Sequence, residues 1–172
     1  MPINNTGSLL LHDLTPSQLA AVLPDPDGYT VIDAAQKAAY CQGCFGCWLK
    51  TPGQCVIRDS LQNISAQMGS CREIMILSRC CYGGFSPAIK KVLDRSIAVN
   101  LPFFTYRSGR VHHPMRYREH PALKICFYGD ITEQERRTAM QLAEAYRVNM
   151  DYSSVEVSFA EGLEQIAGVI NR

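Results

Sequence analysis

The stretch Glu73-Ile74-Met75-Ile76-Leu77-Ser78 carries four bulky apolar residues in an unbroken row. A strand with one wet face alternates apolar and polar side chains. An unbroken row is how a strand buried on both faces of a parallel sheet reads. Working outward, Ser8-Leu9-Leu10-Leu11 and Tyr29-Thr30-Val31-Ile32 are predicted strands before it, and Leu123 to Tyr128 and Val155 to Phe159 are predicted strands after it. Helix signals fall between them. Thr15-Pro16-Ser17-Gln18 supplies an N-cap threonine, a proline at the first helical position and a glutamine three residues after the cap. Leu19, Val22 and Leu23 share one face of that helix, and Pro24-Asp25-Pro26-Asp27-Gly28 stops it. Leu61, Ile64 and Met68 have helical spacing up to Gly69, with Asp59 as the expected cap. Ser86-Pro87 opens a helix with Ile89, Val92, Leu93 and Ile97 on its inner face. Thr132-Glu133-Gln134-Glu135 is a capping box, and Leu163, Ile166 and Ile170 mark a final short helix. Strand and helix alternate without an internal repeat or a linker. That order predicts one α/β domain over residues 1–172, built on a parallel sheet with right-handed crossovers.

The chain of 172 residues is long enough for one domain with a full hydrophobic core, and its 47% apolar and 19% charged content is ordinary for a globular protein. A net charge of +1 gives no argument for nucleic acid or an anionic membrane as partner. No apolar run is long enough to span a bilayer, and the N-terminus, MPINNTGSLLLHDL, lacks the basic and apolar regions of a signal peptide. Eight cysteines without a secretion signal argue for a cytoplasmic, reducing location, with thiols used as ligands rather than as staples.

Half of those cysteines fall in one stretch, Tyr40 to Cys55, reading YCQGCFGCWLKTPGQC and expected to form a cysteine-rich loop over residues 41–55. Cys41, Cys44, Cys47 and Cys55 stand in the pattern C-x2-C-x2-C-x7-C, and Pro52-Gly53 is a turn signal that swings Cys55 back toward the other three. Four soft thiolates suit an iron–sulfur cluster or zinc. Reduced thiols without a ligand, or a redox-active pair, are the competing readings. A second segment breaks the α/β alternation. Residues 100–121 are too long for an ordinary connection, and Phe103 to Arg107 against Arg110 to His113 predicts a hairpin turning at Ser108-Gly109. This segment carries Arg107, Arg110, His112, His113, Arg116, Arg118 and His120. The basic group reads either as a phosphate-holding patch or as a solvated surface or subunit contact. Phe103, Phe104, Tyr106 and Val111 form an apolar group too large to leave in water, so a homodimer through this segment is expected.

Two motifs, CQGCFGCWLKTPGQCVIRD from Cys41 to Asp59 and SRCCYGGFSPAIKKVLDR from Ser78 to Arg95, resemble the NADPH-dependent FMN reductase and iron–sulfur flavoprotein family. The resemblance covers most of the chain from Tyr29 onward. It implies a flavodoxin-like, doubly wound, five-stranded parallel sheet in three layers, FMN as cofactor, NAD(P)H as donor, and a 4Fe-4S cluster on Cys41, Cys44, Cys47 and Cys55. Flavin would supply the chemistry, so no catalytic acid, base or nucleophile is assigned. In such a fold the ligand lies beyond the carboxyl ends of the strands, at the switch point between strands one and three. Cys80, Cys81, Tyr82, Gly83, Gly84 and Phe85 fall there. The glycines would let backbone amides approach a flat ring, and Tyr82 or Phe85 could stack on it. The chain departs from the family in the loop after strand one. It reads His12-Asp13-Leu14-Thr15-Pro16-Ser17, with no glycine, one N–H removed by Pro16 and a negative charge on Asp13. Thr15 and Ser17, at a helix N-terminus, remain the candidate phosphate contacts. That departure keeps open a different class of function, a metal- or thiol-bearing binding module on a fold that has lost FMN.

Overall fold

The apolar rows become β1 (Ser8–His12), β2 (Tyr29–Asp33), β3 (Glu73–Arg79), β6 (Ala122–Tyr128) and β7 (Ser154–Ala160), while β4 (Thr105–Arg107) and β5 (Arg110–His112) form a separate hairpin. The computed structural model describes residues 7–170. Residues 1–6, part of the stretch read as carrying no export signal, lie outside the described residues, as do residues 171–172. The five long strands pair in parallel in the order β2-β1-β3-β6-β7. β3 is central, and Ile74, Met75, Ile76, Leu77 and Ser78 are all buried along it. Its unbroken apolar row is explained by neighbours on both edges and helices on both faces.

Strand periodicity divides the core in two. Leu9 and Leu11 of β1 join Ile74 and Ile76 of β3 under α3 (Ile64–Ser70), α4 (Pro87–Arg95) and α5 (Glu133–Met150). Leu10, Met75 and Leu77 face the other way, against α1 (Pro16–Val22) and α6 (Leu163–Ile170). The result is three layers. The helix starts follow from local chemistry. Thr15 and Gln18 exchange the two bonds of a capping box, Thr132 and Glu135 do the same for α5, and Ser86 accepts from the Ile89 N–H at the start of α4.

Several sequence expectations need correction. The cysteine stretch is not wholly a loop, because Gly46–Leu49 forms the one-turn helix α2. Asp59 does not cap α3, whose N-cap Asn63 makes no side-chain capping bond; the Asp59 carboxylate is held by Arg95 instead. Ile97 has left α4 and lies in a 3-10 turn, Ile97–Val99. The hairpin turns where predicted, with Ser108 and Gly109 both at positive φ, but its strands are shorter and leave out Phe103, Phe104 and His113.

The long segment is pinned to the domain by a close contact. A methyl group on Gly69 of α3 would lie 2.0 Å from Cδ2 of Tyr117. An alanine in a helix interior is worth about 0.5–1 kcal/mol over glycine, whereas overpacking costs about 1–3 kcal/mol. The clash therefore decides the sign. Gly69→Ala is expected to lower stability by about 1–2 kcal/mol in urea denaturation. A raised midpoint would show that the Tyr117 ring moves aside freely.

Candidate functional site

The cysteine loop is built around one buried guanidinium. Arg95 ends α4 with a side chain that is 0% exposed. Its Nη1 donates to Asp59 Oδ2 at 2.9 Å and its Nη2 to Asp59 Oδ1 at 2.8 Å, the bidentate fork that arginine alone can make. Nη1 also donates to the Ala39 carbonyl at 2.8 Å, and Nη2 makes a longer contact of 3.4 Å to the Ile57 carbonyl. Ala39 precedes Cys41 while Ile57 and Asp59 follow Cys55, so one side chain ties the loop at both of its ends. The hydrogen bonds from Arg95, against some cost of burial and helped by the Ala39 and Leu61 N–H groups, hold the Asp59 carboxyl down to about 2. Asp59 raises Arg95 in turn, and Cys55 lies close enough to add to that shift.

The four predicted ligands open on one cleft of about 510 Å3. Cys41 and Cys44 are exposed, and Cys47 and Cys55 are half-buried. Gly53, at φ +84°, makes the turn that brings Cys55 round, and its N–H bonds the Cys47 carbonyl at 2.9 Å. Burial first, and then the neighbouring Cys55, Cys41 and Cys44, push the Cys47 thiol up, as expected for sulfurs gathered in one region. Among the described residues no three His, Cys, Asp or Glu side chains form a group that could hold a metal ion. Phe85, Leu93, Tyr146 and Met150 line the apolar side of the cleft. Arg95 lines it too, and its Nε is buried without an acceptor.

The second candidate place lies beyond the carboxyl ends of β1, β3 and β6. A shallow groove there is lined by Asp13, Ala34, Ala35, Tyr40, Arg79, Cys81, Pro87, Lys91 and Tyr128, among others. Asp13 closes its inner end. Its carboxylate accepts the Arg79 N–H at 3.1 and 3.2 Å and the Tyr128 hydroxyl at 2.9 Å, stapling three strand ends together. Burial, and then the Asp13 charge, push the Tyr128 hydroxyl far above its ordinary value.

The loop from Cys80 to Phe85 stands at the switch point, as predicted, but its backbone is already engaged. Cys81 and Gly84 exchange N–H and carbonyl at 2.9 Å in both directions across a turn with Tyr82 and Gly83 at positive φ. Cys80 N–H bonds the Tyr128 carbonyl at 2.9 Å. A methyl on Gly83 would lie 2.6 Å from Thr138 Cβ, so this glycine is required by packing against α5. The Gly84 N–H, read as able to approach a flat ring, is thus engaged within the turn. Phe85 packs on Phe127 and Tyr146 and borders the cysteine cleft, while Tyr82 is 94% exposed. The Thr15 hydroxyl accepts the Gln18 N–H and lies 3.2 Å from that of Ser17, so the predicted phosphate contacts serve the cap of a seven-residue helix.

Three basic residues of the long segment are tied to the rest of the domain. Arg107 pairs with Asp151 and bonds the Val148 carbonyl, Arg116 bonds the Ala98 carbonyl, and His120 bonds the Asp151 carbonyl. The His113 ring contacts those of Trp48 and Phe104 at tilted angles, with centroids 5.0 Å from each. Trp48 Nε1 donates to the Asn100 carbonyl at 3.0 Å, so the cysteine loop and the long segment share a wall. Sequence reasoning missed Arg95 and the staple at Asp13. Arg95 had a signal, because it continues the inward stripe Ile89, Val92 by one more step of three.

Strand order and layers define a flavodoxin-like α/β protein. No protein-family profile matches the sequence, and no curated protein matches it significantly. Solved structures of the same fold are similar at low identity. One is an FMN-dependent NADH-azoreductase from Bacillus anthracis str. Ames Ancestor in complex with FMN, 14% identical, covering 94% of this chain and 93% of that one, with a TM-score of 0.58. An NADH:FMN oxidoreductase in its apo form is 12% identical over 96% of this chain and 87% of that one, with a TM-score of 0.55. An NAD(P)H:quinone oxidoreductase from Methanothermobacter marburgensis is 9% identical over 95% and 94%, with a TM-score of 0.55. At these identities the likeness shows the fold alone. Among the described residues no helix is long and apolar enough to cross a membrane.

The depressed Asp59 pKa makes the loop clamp sensitive to acid. A carboxyl lowered on folding from 3.8 to about 2 contributes stability that is fully present above pH 3.8 and lost as the pH falls through 2. At 1.36 kcal/mol per pKa unit the contribution at neutral pH is about 2 kcal/mol. Asp59→Asn is expected to lose about that much at pH 7, with the difference from wild type shrinking from pH 4 downward in a pH series of urea melts. A difference that stayed constant across the series would remove the ion pair as its source.

Proposed function

We propose that the protein is a flavin-dependent redox protein that binds FMN in the groove beyond β1, β3 and β6, uses NAD(P)H as donor, and carries a 4Fe-4S cluster on Cys41, Cys44, Cys47 and Cys55. The observation that carries the flavin reading is the strand order β2-β1-β3-β6-β7, whose switch point opens into that groove. FMN-dependent and FMN-reducing enzymes among the solved structures with this fold support it. When bound, FMN supplies the conversion of hydride to single electrons. The chain's own part is to hold a flat ring. Ala34, Ala35 and Pro87 give flat, small walls, Tyr40 stands at the rim, and Arg79 and Lys91 offer positive charge for a phosphate. Asp13 opposes that phosphate.

The cluster reading rests on Cys41, Cys44, Cys47 and Cys55 lining one cleft. Four thiolates are the ligand set of a 4Fe-4S cluster. Among the described residues no three of these side chains already form a group that could hold a metal ion, so a cluster would have to draw the loop's sulfurs together.

A second reading is favoured by Asp13, whose carboxylate takes up the groove's inner end. In it the protein is a metal- or thiol-bearing binding module without flavin. Fluorescence titration of FMN into apoprotein separates the two. Saturable binding is expected for wild type. Asp13→Gly should bind at least about tenfold tighter, about 1.4 kcal/mol, through a charge removed and the Arg79 N–H and Tyr128 hydroxyl freed. No saturable binding by either protein would leave the module as the function.

The exposed Phe103, Phe104, Tyr106 and Val111 carry the proposal of a homodimer. Light scattering across a concentration series should give twice the chain mass. A single chain mass at the highest concentration would remove the dimer.

A further inference from the structure

We infer that the homodimer interface runs beyond the hairpin onto the cysteine loop, so that a second copy of the chain closes the mouth of the cysteine cleft. The inference rests on the homodimer proposed above and extends its surface to a site that one chain leaves open. Ring contacts trace that surface. Tyr106 and Val111 stand opposite each other across β4 and β5, and Phe103 and Phe104 precede them on the same segment. The Phe104 ring contacts His113, His113 contacts Trp48, and Trp48 stacks on Phe45 with centroids 5.4 Å apart. Leu49 follows Phe45 by four positions, and its N–H bonds the Phe45 carbonyl at 3.1 Å, so the two are neighbours one turn apart. Phe45 is exposed and also lines the cysteine cleft, which places it at the mouth. One row therefore leads from the hairpin to the cleft.

The size of the row says what covers it. Phe45, Leu49, Phe103, Phe104, Tyr106 and Val111 are each between 53% and 76% exposed, and none carries a charge. At roughly 200 Å2 for a whole aromatic side chain, and less for leucine and valine, they leave about 700 Å2 of mostly apolar surface in water. That is more than a monomer usually shows, and it approaches the ~800 Å2 that each partner gives to a standard protein interface. A small molecule is too small to cover it. A net charge of +1 gives an anionic membrane little hold on the protein. A second copy fits. A row of uncharged aromatic and aliphatic side chains is complementary to itself and can meet itself across a two-fold axis. Cys41 and Cys44, exposed in one chain, line the cleft with Phe45 and are shielded once the row is covered. Leu142 of α5, exposed on its own, gives the cleft a further apolar edge for the second copy to rest on. The cleft is complete only in the pair.

The test uses the full-length chain with its thiols reduced, and reads mass and thiol reactivity together. Sedimentation velocity across a concentration series should show a dimer for wild type. Leu49→Asp puts a charge on the cysteine-loop end of the row, at a side chain exposed enough to accept it in the single chain. It should raise the dimer dissociation constant at least about tenfold, because the pair buries that charge twice. Phe104→Asp, at the hairpin end, should do the same. Iodoacetamide followed by mass spectrometry then reports the thiols. Cys41 and Cys44 should be alkylated at least about tenfold more slowly in the dimer than in monomer obtained by dilution or from Phe104→Asp, since a shielded thiol reacts only from the dissociated fraction. If Phe104→Asp breaks the dimer while Leu49→Asp leaves it intact, or if the two thiols react equally fast in monomer and dimer, the extension to the cysteine loop is overturned and the hairpin dimer stands. If wild type has the mass of a single chain, or Phe104→Asp stays dimeric, the hairpin dimer falls, and this inference with it. Should Leu49→Asp fail to fold, the alkylation rates of wild type decide alone.

Discussion

The bidentate pair between Arg95 and Asp59 is the constraint on which the cysteine loop depends. A segment with this many turns and exposed thiols has little apolar surface of its own to bury, and it would not hold one shape unaided. The pair solves this by drawing the loop's two ends onto the last turn of α4, itself anchored by Ile89 and Val92 in the core. The charge is tolerated in the interior because both terminal nitrogens are taken up by acceptors, with a carboxylate on one side and carbonyls on the other. Its value lies less in net stability than in specifying one loop geometry, a role that buried ion pairs fill in some proteins.

A different economy governs the switch point. Flavodoxin-like folds leave a crevice there because neighbouring connections run to opposite faces of the sheet. In this chain much of the crevice's polar capacity is turned inward. Asp13 bonds across to β3 and β6, and the loop after β3 closes on itself in a tight turn whose Gly83 packs closely on Thr138 of α5. What stays open is a side-chain surface rather than a backbone cradle. Any ligand there is recognised by shape and by Arg79 and Lys91, and it competes with Asp13.

Most of the fold was legible because it rests on short-range signals. The unbroken row at Ile74 to Leu77, the capping boxes at Thr15 and Thr132, and the Ser108-Gly109 turn are each set by residues a few positions apart. The turn at Pro52-Gly53 that brings Cys55 to the cleft of Cys41, Cys44 and Cys47 was likewise legible. What the sequence hid are partnerships across long separations. Asp59 looks like a local cap and is a partner for a residue 36 positions away. Asp13 looks like a repulsive charge and is a staple to Tyr128, 115 positions away. Thr15 and Ser17 look like anion ligands and spend their hydroxyls on the helix start. Polar residues choose among alternative partners according to geometry that only tertiary structure fixes.

The chain has one tryptophan, and its position gives the molecule a built-in optical gauge. Trp48 belongs to the one-turn helix inside the cysteine loop, its indole N–H is bonded to the Asn100 carbonyl, and its ring lies between Phe45 and His113. Emission from this single fluorophore therefore arises at the joint between the cysteine loop and the long segment. Loosening of either side changes its solvation and its quenching by the imidazole. Under excitation selective for indole, the eight tyrosines and the rest of the chain contribute little to the same measurement.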